Sequence, residues 1–233
     1  MIICPLNSGE CVQFIAPKPR TVLIMAPSRR HQTPTCTSLL HRITDSLSKL
    51  GFISIEGASI VRHGDYLCSI CQEIQSCAFG VAVASEDMGV GTLGNIYMEV
   101  GLMLGFGKQV ILFVDKRKNL PSDFIRDFCV HYKSKDYLPK YRELLGDINK
   151  RIPIYFQYLA RYAARAKDYE KAFRYHEGAY LINGDEHRLQ DMETLMSELR
   201  TDEAIPDGFK KRLLEKAEFF CSEARKSVNV ITV

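Results

Sequence analysis

Glu99 is the one acidic residue in GNIYMEVGLMLGFGKQVILFV, a stretch of mostly small and apolar residues from Gly94 to Val114. On a helix that begins near Gly94, Glu99 lies just over one turn from the amino end. The partial positive charge of that end favours a carboxylate. Glu99 therefore either faces a ligand or only interacts with the helix dipole or with a surface cation. It is the first candidate for chemistry in the chain.

A second set of candidates lies in APSRRHQT, directly after the first apolar run. Ser28, the backbone amides of this loop, and the guanidinium group of Arg29 or Arg30 can hold a phosphate. The alternative is a surface loop with two solvated arginines. The sequence contains no GK[ST], so this loop is not a Walker motif.

An alternation of predicted strands and helices must position these residues. Apolar runs typical of buried strands occur in TVLIMA, FISIEG, AFGVAVA and KQVILFVD. Helices are predicted over residues 35–50, from Asp65 to about Cys77, and from a cap at Asn95 to about Phe106. This order predicts an α/β fold with a doubly wound, mostly parallel sheet. Ligands of such sheets bind beyond the carboxyl ends of the strands, where loops 27–34, 57–64 and 85–94 would gather.

The remainder of the chain, from about Pro153, has apolar and aromatic residues at helical spacing. We expect a lead-in segment over residues 1–20, the α/β domain over 21–150 and an all-helical appendage over 151–233. KDYEKAFRYHEGAYLI resembles one helical hairpin of a tetratricopeptide repeat, but no second copy follows it. Apolar stripes on these helices must be buried, which predicts a homo-oligomer with the appendage at its interface. The two stripes are Phe156, Leu159, Tyr162 and Ala163, and Leu213, Leu214, Ala217 and Phe220.

The stretch around Glu99 resembles the signature of TIR-like and nucleoside 2-deoxyribosyltransferase-like domains. In those domains an asparagine, an aromatic residue and a glutamate open a helix, which a small-residue turn, GK and a buried strand follow. The preceding QSCAFGVAVASEDMGVGT is similar to the strand and loop of the same family. The resemblance covers residues 21–115, and it implies a TIR-like, flavodoxin-like layout of the sheet. The matching residues are Asn95, Tyr97, Glu99, Gly101, Gly107 and Lys108.

The resemblance implies an enzyme that cleaves the N-glycosidic bond of NAD or a related nucleotide, with NAD as substrate and no cofactor. As the base leaves, C1′ of the ribose gains positive charge, which a carboxylate such as Glu99 can stabilise or attack. One alternative is a nucleoside deoxyribosyltransferase or a nucleotide hydrolase. Another, from a different class, is a non-catalytic module that senses a nucleotide or serves as a scaffold.

Other side chains are candidates for holding the nucleotide. Ser85 and Asp87, in the glycine-rich SEDMGVGTLG, can bond sugar hydroxyls or belong to an ordinary polar loop. Tyr97 can stack on a base or pack in the core. In VRHGDY, His63 can protonate a leaving base and Tyr66 can stack on it. The alternative for this stretch is a surface histidine beside a helix cap.

Composition narrows the class of protein. A net charge of +3 is too small to indicate nucleic acid as a partner, and no apolar run reaches the length of a membrane span. The eight cysteines lack the spacing of a zinc finger, and we expect no metal. The first residues lack the features of a secretory signal, so we expect a cytoplasmic protein with reduced thiols.

Overall fold

A central sheet of five parallel strands organises the part of the chain that the computed structural model describes, residues 13–57, 66–85, 88–115 and 128–231. The strand order is β2-β1-β3-β4-β5, and all four neighbouring pairs are parallel. The predicted α/β fold with a parallel sheet is thus confirmed, and the short β5 is an addition to it. The strands are β1 Thr21–Met25, β2 Ile53–Glu56, β3 Phe79–Ala84, β4 Val110–Val114 and β5 Cys129–His131.

Helices follow β1, β2 and β3 as the alternation predicts, and a helical bundle follows the sheet. A turn of π-helix over Asp147–Arg151 joins α4 directly to α5. The residue range 137–165 is therefore one continuous helical run, and position 150 lies inside it. The helices are α1 Pro34–Lys49, α2 Tyr66–Ser76, α3 Val90–Gly105, α4 Tyr137–Gly146, α5 Ile152–Arg165, α6 Tyr169–Asn183, α7 His187–Thr201 and α8 Asp207–Ile231.

Alternating residues of each central strand enter two separate cores. In β1, Val22 and Ile24 pack in a cluster with α1, α4 and the helical bundle, whereas Leu23 and Met25 pack with α2 and α3. Because successive side chains of a strand point to opposite faces, a strand covered on both faces is apolar throughout. This explains why β1, β3 and β4 are buried at every residue and, apart from Thr21, contain only apolar residues and glycine.

The N-cap of α3 lies six residues before the position predicted from the sequence. The helix begins at Val90 after an N-cap at Gly89, so the prediction that Asn95 caps it is wrong. Leu93 and Ile96 lie three residues apart and both pack in the cluster beneath α2 and α3. This added turn of apolar contact outweighs the low helix propensity of the glycines around it. The predicted glycine-rich loop is correspondingly shorter.

The helical bundle packs on the sheet through a shared core. Residues of α6, α7 and α8 belong to the same cluster as α1 and the strands, and the Arg20 amide donates to the Leu181 carbonyl over 2.7 Å. The stretch that resembles a tetratricopeptide hairpin is a single helix, α6. The predicted stripe at Leu213, Ala217 and Phe220 is buried inside the chain itself.

We expect Gly178→Ala to lower the free energy of unfolding by about 1–3 kcal/mol, because it overpacks the contact between α5 and α6. A Cβ atom at Gly178 would lie 2.8 Å from Cε2 of Phe156. The matched control is Gly101→Ala in α3, where a Cβ atom meets nothing within 4 Å. That variant should gain about 0.4–1 kcal/mol. Urea denaturation measures both, and equal effects would contradict the packing argument.

Candidate functional site

The carboxylate of Glu99 lies at the carboxyl ends of β1 and β2. Glu99 is 6% exposed, and its Oε2 lies 3.6 Å from the position that a Cβ atom at Gly57 would take. The same Cβ position is 3.4 Å from the backbone oxygen of Ile24, near the end of β1. Gly57 lies directly after β2 and has no side chain. The carboxylate of Glu99 therefore lies against the backbone at this edge.

The position of Glu99 within α3 excludes the helix dipole as the reason for this acid. Glu99 is the tenth residue of the helix, roughly 13 Å from its first residue at 1.5 Å per residue. The helix dipole acts within the first turn, so it does not explain an acid at this depth. Glu99 is also buried. A buried carboxylate at the carboxyl edge of a parallel sheet is a candidate for a functional role.

The order of the strands creates a topological switch point in the sheet, between β1 and β3. The chain grows from β1 to β2 on one side and from β3 to β5 on the other, so the direction reverses between β1 and β3. In open parallel sheets of this order, ligands bind at that point, beyond the carboxyl ends. Glu99 and Gly57 lie on the β1–β2 side of it, and Ser85 directly follows β3.

A chain of polar side chains joins the ends of β3, β4 and β5. The Tyr132 hydroxyl donates to Ser85 Oγ over 2.9 Å, and Ser85 Oγ donates to Asp115 Oδ2 over 3.1 Å. The side chain of Asp115 is 4% exposed and forms an ion pair of 3.4 Å with Lys133. The hydroxyl of Ser85 therefore links the ends of β3, β4 and β5. Sequence reasoning missed Asp115 and Tyr132. A polar residue directly after a buried strand, as in VILFVD, was the available signal for Asp115.

Tyr97 lies on another side of α3 from Glu99, whereas Asn95 lies one turn before Glu99 on nearly the same side. Tyr97 is half-buried against the cluster beneath α2 and α3. Burial raises the pKa of its phenol, and the charges of Asp115 and Cys129 add to this effect. Tyr97 therefore faces the β4–β5 side, whereas Glu99 faces β1 and β2. Asn95 is exposed in the second turn of the helix.

The loop after β1 forms a single 3₁₀ turn over Arg29–His31. The His31 amide donates to the Ser28 carbonyl over 2.8 Å, and Gln32 Nε2 donates to the Pro27 carbonyl over 2.8 Å. These bonds fix the backbone of the turn, and Arg30 is exposed on it. Asp87 and His63 lie outside the described residues, as do the side chains of Arg29 and Tyr66.

Lys108, which matches the GK of the family signature, has a structural contact. Its Nζ donates to the carbonyl oxygens of Cys77 and Gln75 over 2.8 and 3.2 Å. These carbonyls belong to the carboxyl end of α2, where backbone acceptors have no partner within the helix. Lys108 thus ties α2 to the start of β4, at the opposite edge of the sheet from Glu99.

Two kinds of feature, metal-ligand groups and membrane-spanning helices, were sought in the described part of the chain and not found. No group of three or more His, Cys, Asp or Glu residues in it is arranged to hold a metal ion. None of the helices described above combines the length and the apolar character that a membrane crossing requires.

Comparison of the sequence with protein-family models finds no matching family, and comparison with curated proteins finds no significant match.

Proposed function

We propose that this protein is a TIR-like N-glycosidase, an NAD nucleosidase or a related enzyme, and that Glu99 is its catalytic carboxylate. The observation that carries the proposal is the buried carboxylate of Glu99 beside Gly57, at the carboxyl ends of β1 and β2. The switch point of the parallel sheet and the resemblance around Glu99 support the same assignment. A cytoplasmic location is part of this proposal.

In the proposed reaction the bond between C1′ and the base nitrogen breaks, and its electron pair leaves with the base. Positive charge then develops on C1′ of the ribose. The carboxylate of Glu99 stabilises this charge, or attacks C1′ to form a ribosyl ester that water opens. A water molecule finally supplies the hydroxyl of C1′ and releases one proton. The low dielectric around a buried carboxylate strengthens its attraction for C1′.

The substrate class can be tested directly with the purified chain. The protein at high concentration is incubated with NAD, with single nucleotides, and with a deoxynucleoside plus a second free base. Chromatography then separates the products. Free base together with a base-free ribosyl product supports the proposal, and base exchange indicates a deoxyribosyltransferase. Binding without any product would identify a nucleotide-sensing module.

The loop after β1 provides a prediction about phosphate. We expect the variant Arg29→Ala, Arg30→Ala to lose affinity for a nucleotide by about 1.5–3 kcal/mol, which is roughly tenfold or more, because charge-assisted hydrogen bonds are lost. Affinity for the matching nucleoside should change little. Isothermal titration calorimetry with the two ligands measures the difference. Equal losses for both would show that the substitution alters the shape of the site instead.

We further propose that α5 mediates assembly into a homo-oligomer. Ile154, Tyr158 and Tyr162 lie four residues apart on this helix and are 54%, 65% and 76% exposed. Such a row of large exposed side chains is typical of an interaction surface. We expect Tyr158→Ser, Tyr162→Ser to reduce the molar mass measured by light scattering to that of one chain. A wild-type protein that is monomeric at high concentration would contradict this proposal.

A further inference from the structure

A cavity of about 700 Å³ lies at the amino edge of the sheet, opposite to the edge that carries Glu99. Its walls come from the carboxyl ends of α2 and α3 on one side and from α5, α6 and α8 of the bundle on the other. This volume is within the range of small-molecule sites in proteins. Nothing in the proposed glycosidase reaction uses this cavity.

Two glycines in the carboxyl-terminal half of α3 border this cavity. Gly101 and Gly105 lie one turn apart and both line it. A Cβ atom at either position would meet nothing within 4 Å. The two glycines therefore do not serve close helix packing, which their spacing suggests. They leave open space beside α3, although alanine at both positions would stabilise the helix.

Basic side chains outnumber acidic ones around this space. Lys108, Lys171, Arg174 and Lys216 line it, with Glu177 as the one acid among the described lining residues. Lys171 and Arg174 pair with Asp168 and Glu170 on their own helix. Lys216 lies 3.9 Å from Glu177. The positive charges thus come from three separate elements, the start of β4, α6 and α8.

Lys108 has bonding capacity that the protein does not use. Its two bonds to the carbonyls of Gln75 and Cys77 occupy two of its three N–H groups. No acidic side chain of the described residues lies within ion-pair distance of it. Burial lowers the pKa of this ammonium group, so an anion in the cavity would stabilise its charged form.

The remaining wall is apolar and partly aromatic. It is lined by Leu102 of α3, Phe106 directly after α3, Phe156 of α5 and Tyr175 of α6. The rings of Phe156 and Tyr175 are 5.8 Å apart between centroids. A flat apolar ligand can lie between these rings and the bare backbone at Gly101 and Gly105.

We propose that this cavity is a binding site for an organic anion, a ligand with a flat apolar body and an acidic group directed toward Lys108, Arg174 and Lys216. The apolar body contacts the glycine face of α3 and the rings of Phe156 and Tyr175. The acidic group is a carboxylate or a phosphate. The site is separate from the edge that carries Glu99, so it stands whether or not the chain cleaves nucleotides.

A pair of fluorescent probes tests the proposal on the full chain. 1-Anilinonaphthalene-8-sulfonate has aromatic rings and one negative charge, and N-phenyl-1-naphthylamine has the same rings without the charge. We expect the anionic probe to bind at one site per chain. In Arg174→Ala, Lys216→Ala its affinity should fall at least tenfold, while affinity for the neutral probe stays within about twofold. The control Lys49→Ala, Arg142→Ala removes two exposed charges on α1 and α4 and should change neither.

A cavity-filling variant locates the probe. Gly105→Phe directs a ring into the open space and should weaken both probes at least tenfold, with far-UV circular dichroism checking that the fold is kept. Displacement by phenyl phosphate or by benzoate identifies the acidic group that the site prefers. The proposal is overturned if the anionic probe binds the filled variant as tightly as the wild type. It is also overturned if the double variant weakens both probes equally, or if neither displacing anion competes at millimolar concentration.

Discussion

Glu99→Gln is expected to lower the turnover of NAD or a related nucleotide by ~10²-fold or more. The substitution keeps the shape of the side chain and removes the negative charge that faces C1′ in the proposed reaction. Because the contact matters mainly when charge develops on C1′, the rate should fall far more than the affinity for substrate. Steady-state kinetics of base release measure both quantities.

The control for this variant is Glu143→Gln, at an exposed position of α4. It makes the same chemical change far from the carboxyl edge and should leave turnover unchanged. Thermal unfolding of both variants checks that the fold is intact. Near-normal turnover in a folded Glu99→Gln protein would refute the assignment of Glu99 as the catalytic carboxylate.

Gly57→Val is expected to lower turnover about tenfold or more. Its methyl groups would lie against the carboxylate of Glu99 and keep C1′ of the ribose from reaching it. A Cβ atom alone would be in ordinary contact, 3.6 Å from Glu99 Oε2 and 3.4 Å from the Ile24 oxygen. Gly57→Ala should therefore keep much of the activity. The graded loss across Gly, Ala and Val, measured under one set of conditions, reports how closely the substrate approaches this point.

The matched control is Gly208→Val at the start of α8, where an added Cβ atom meets nothing within 4 Å. It should leave turnover unchanged. Equal activity of the Gly57 variants and the wild type would place the substrate elsewhere and would separate Glu99 from the reacting ribose.

The sheet was predictable because burial on both faces leaves a simple pattern. The runs VLIM, FGVAVA and VILFV are short, without charged residues and rich in β-branched or aromatic side chains, which marks them as strands between the helices. A glycine just after the end of α1 was also predictable: the helix ends at Lys49, its C-cap is Leu50, and Gly51 follows with a φ of +75°. Each of these features depends on residues that are close together in the sequence.

Features that depend on long-range contacts were not predictable. β5 is three residues long and depends on pairing with β4 and on burial of Cys129 and Val130 in the two cores. The early start of α3 depends on packing of Leu93 against the second core, which local glycine content conceals. The spacing of Gly101 and Gly105 suggested close packing, and the structure shows open space there instead.

The candidate site was predictable only in part, for the same reason. Glu99 and Ser85 are visible in the sequence as polar residues beside apolar runs, and the structure places both at the carboxyl edge. The bonds from Tyr132 to Ser85 and from Ser85 to Asp115 join residues 47 and 30 positions apart. A single sequence contains no signal for such pairings.

The most direct test of the central claim is the mass balance of NAD products, measured by chromatography with mass spectrometry, for the wild type and Glu99→Gln at the same high protein concentration. The proposed reaction predicts free nicotinamide and ADP-ribose in equal amounts from the wild type and almost none from the variant. Two mononucleotides would contradict it, because they show cleavage at phosphorus. Intact NAD in a solution where the wild-type protein demonstrably binds it would contradict it equally.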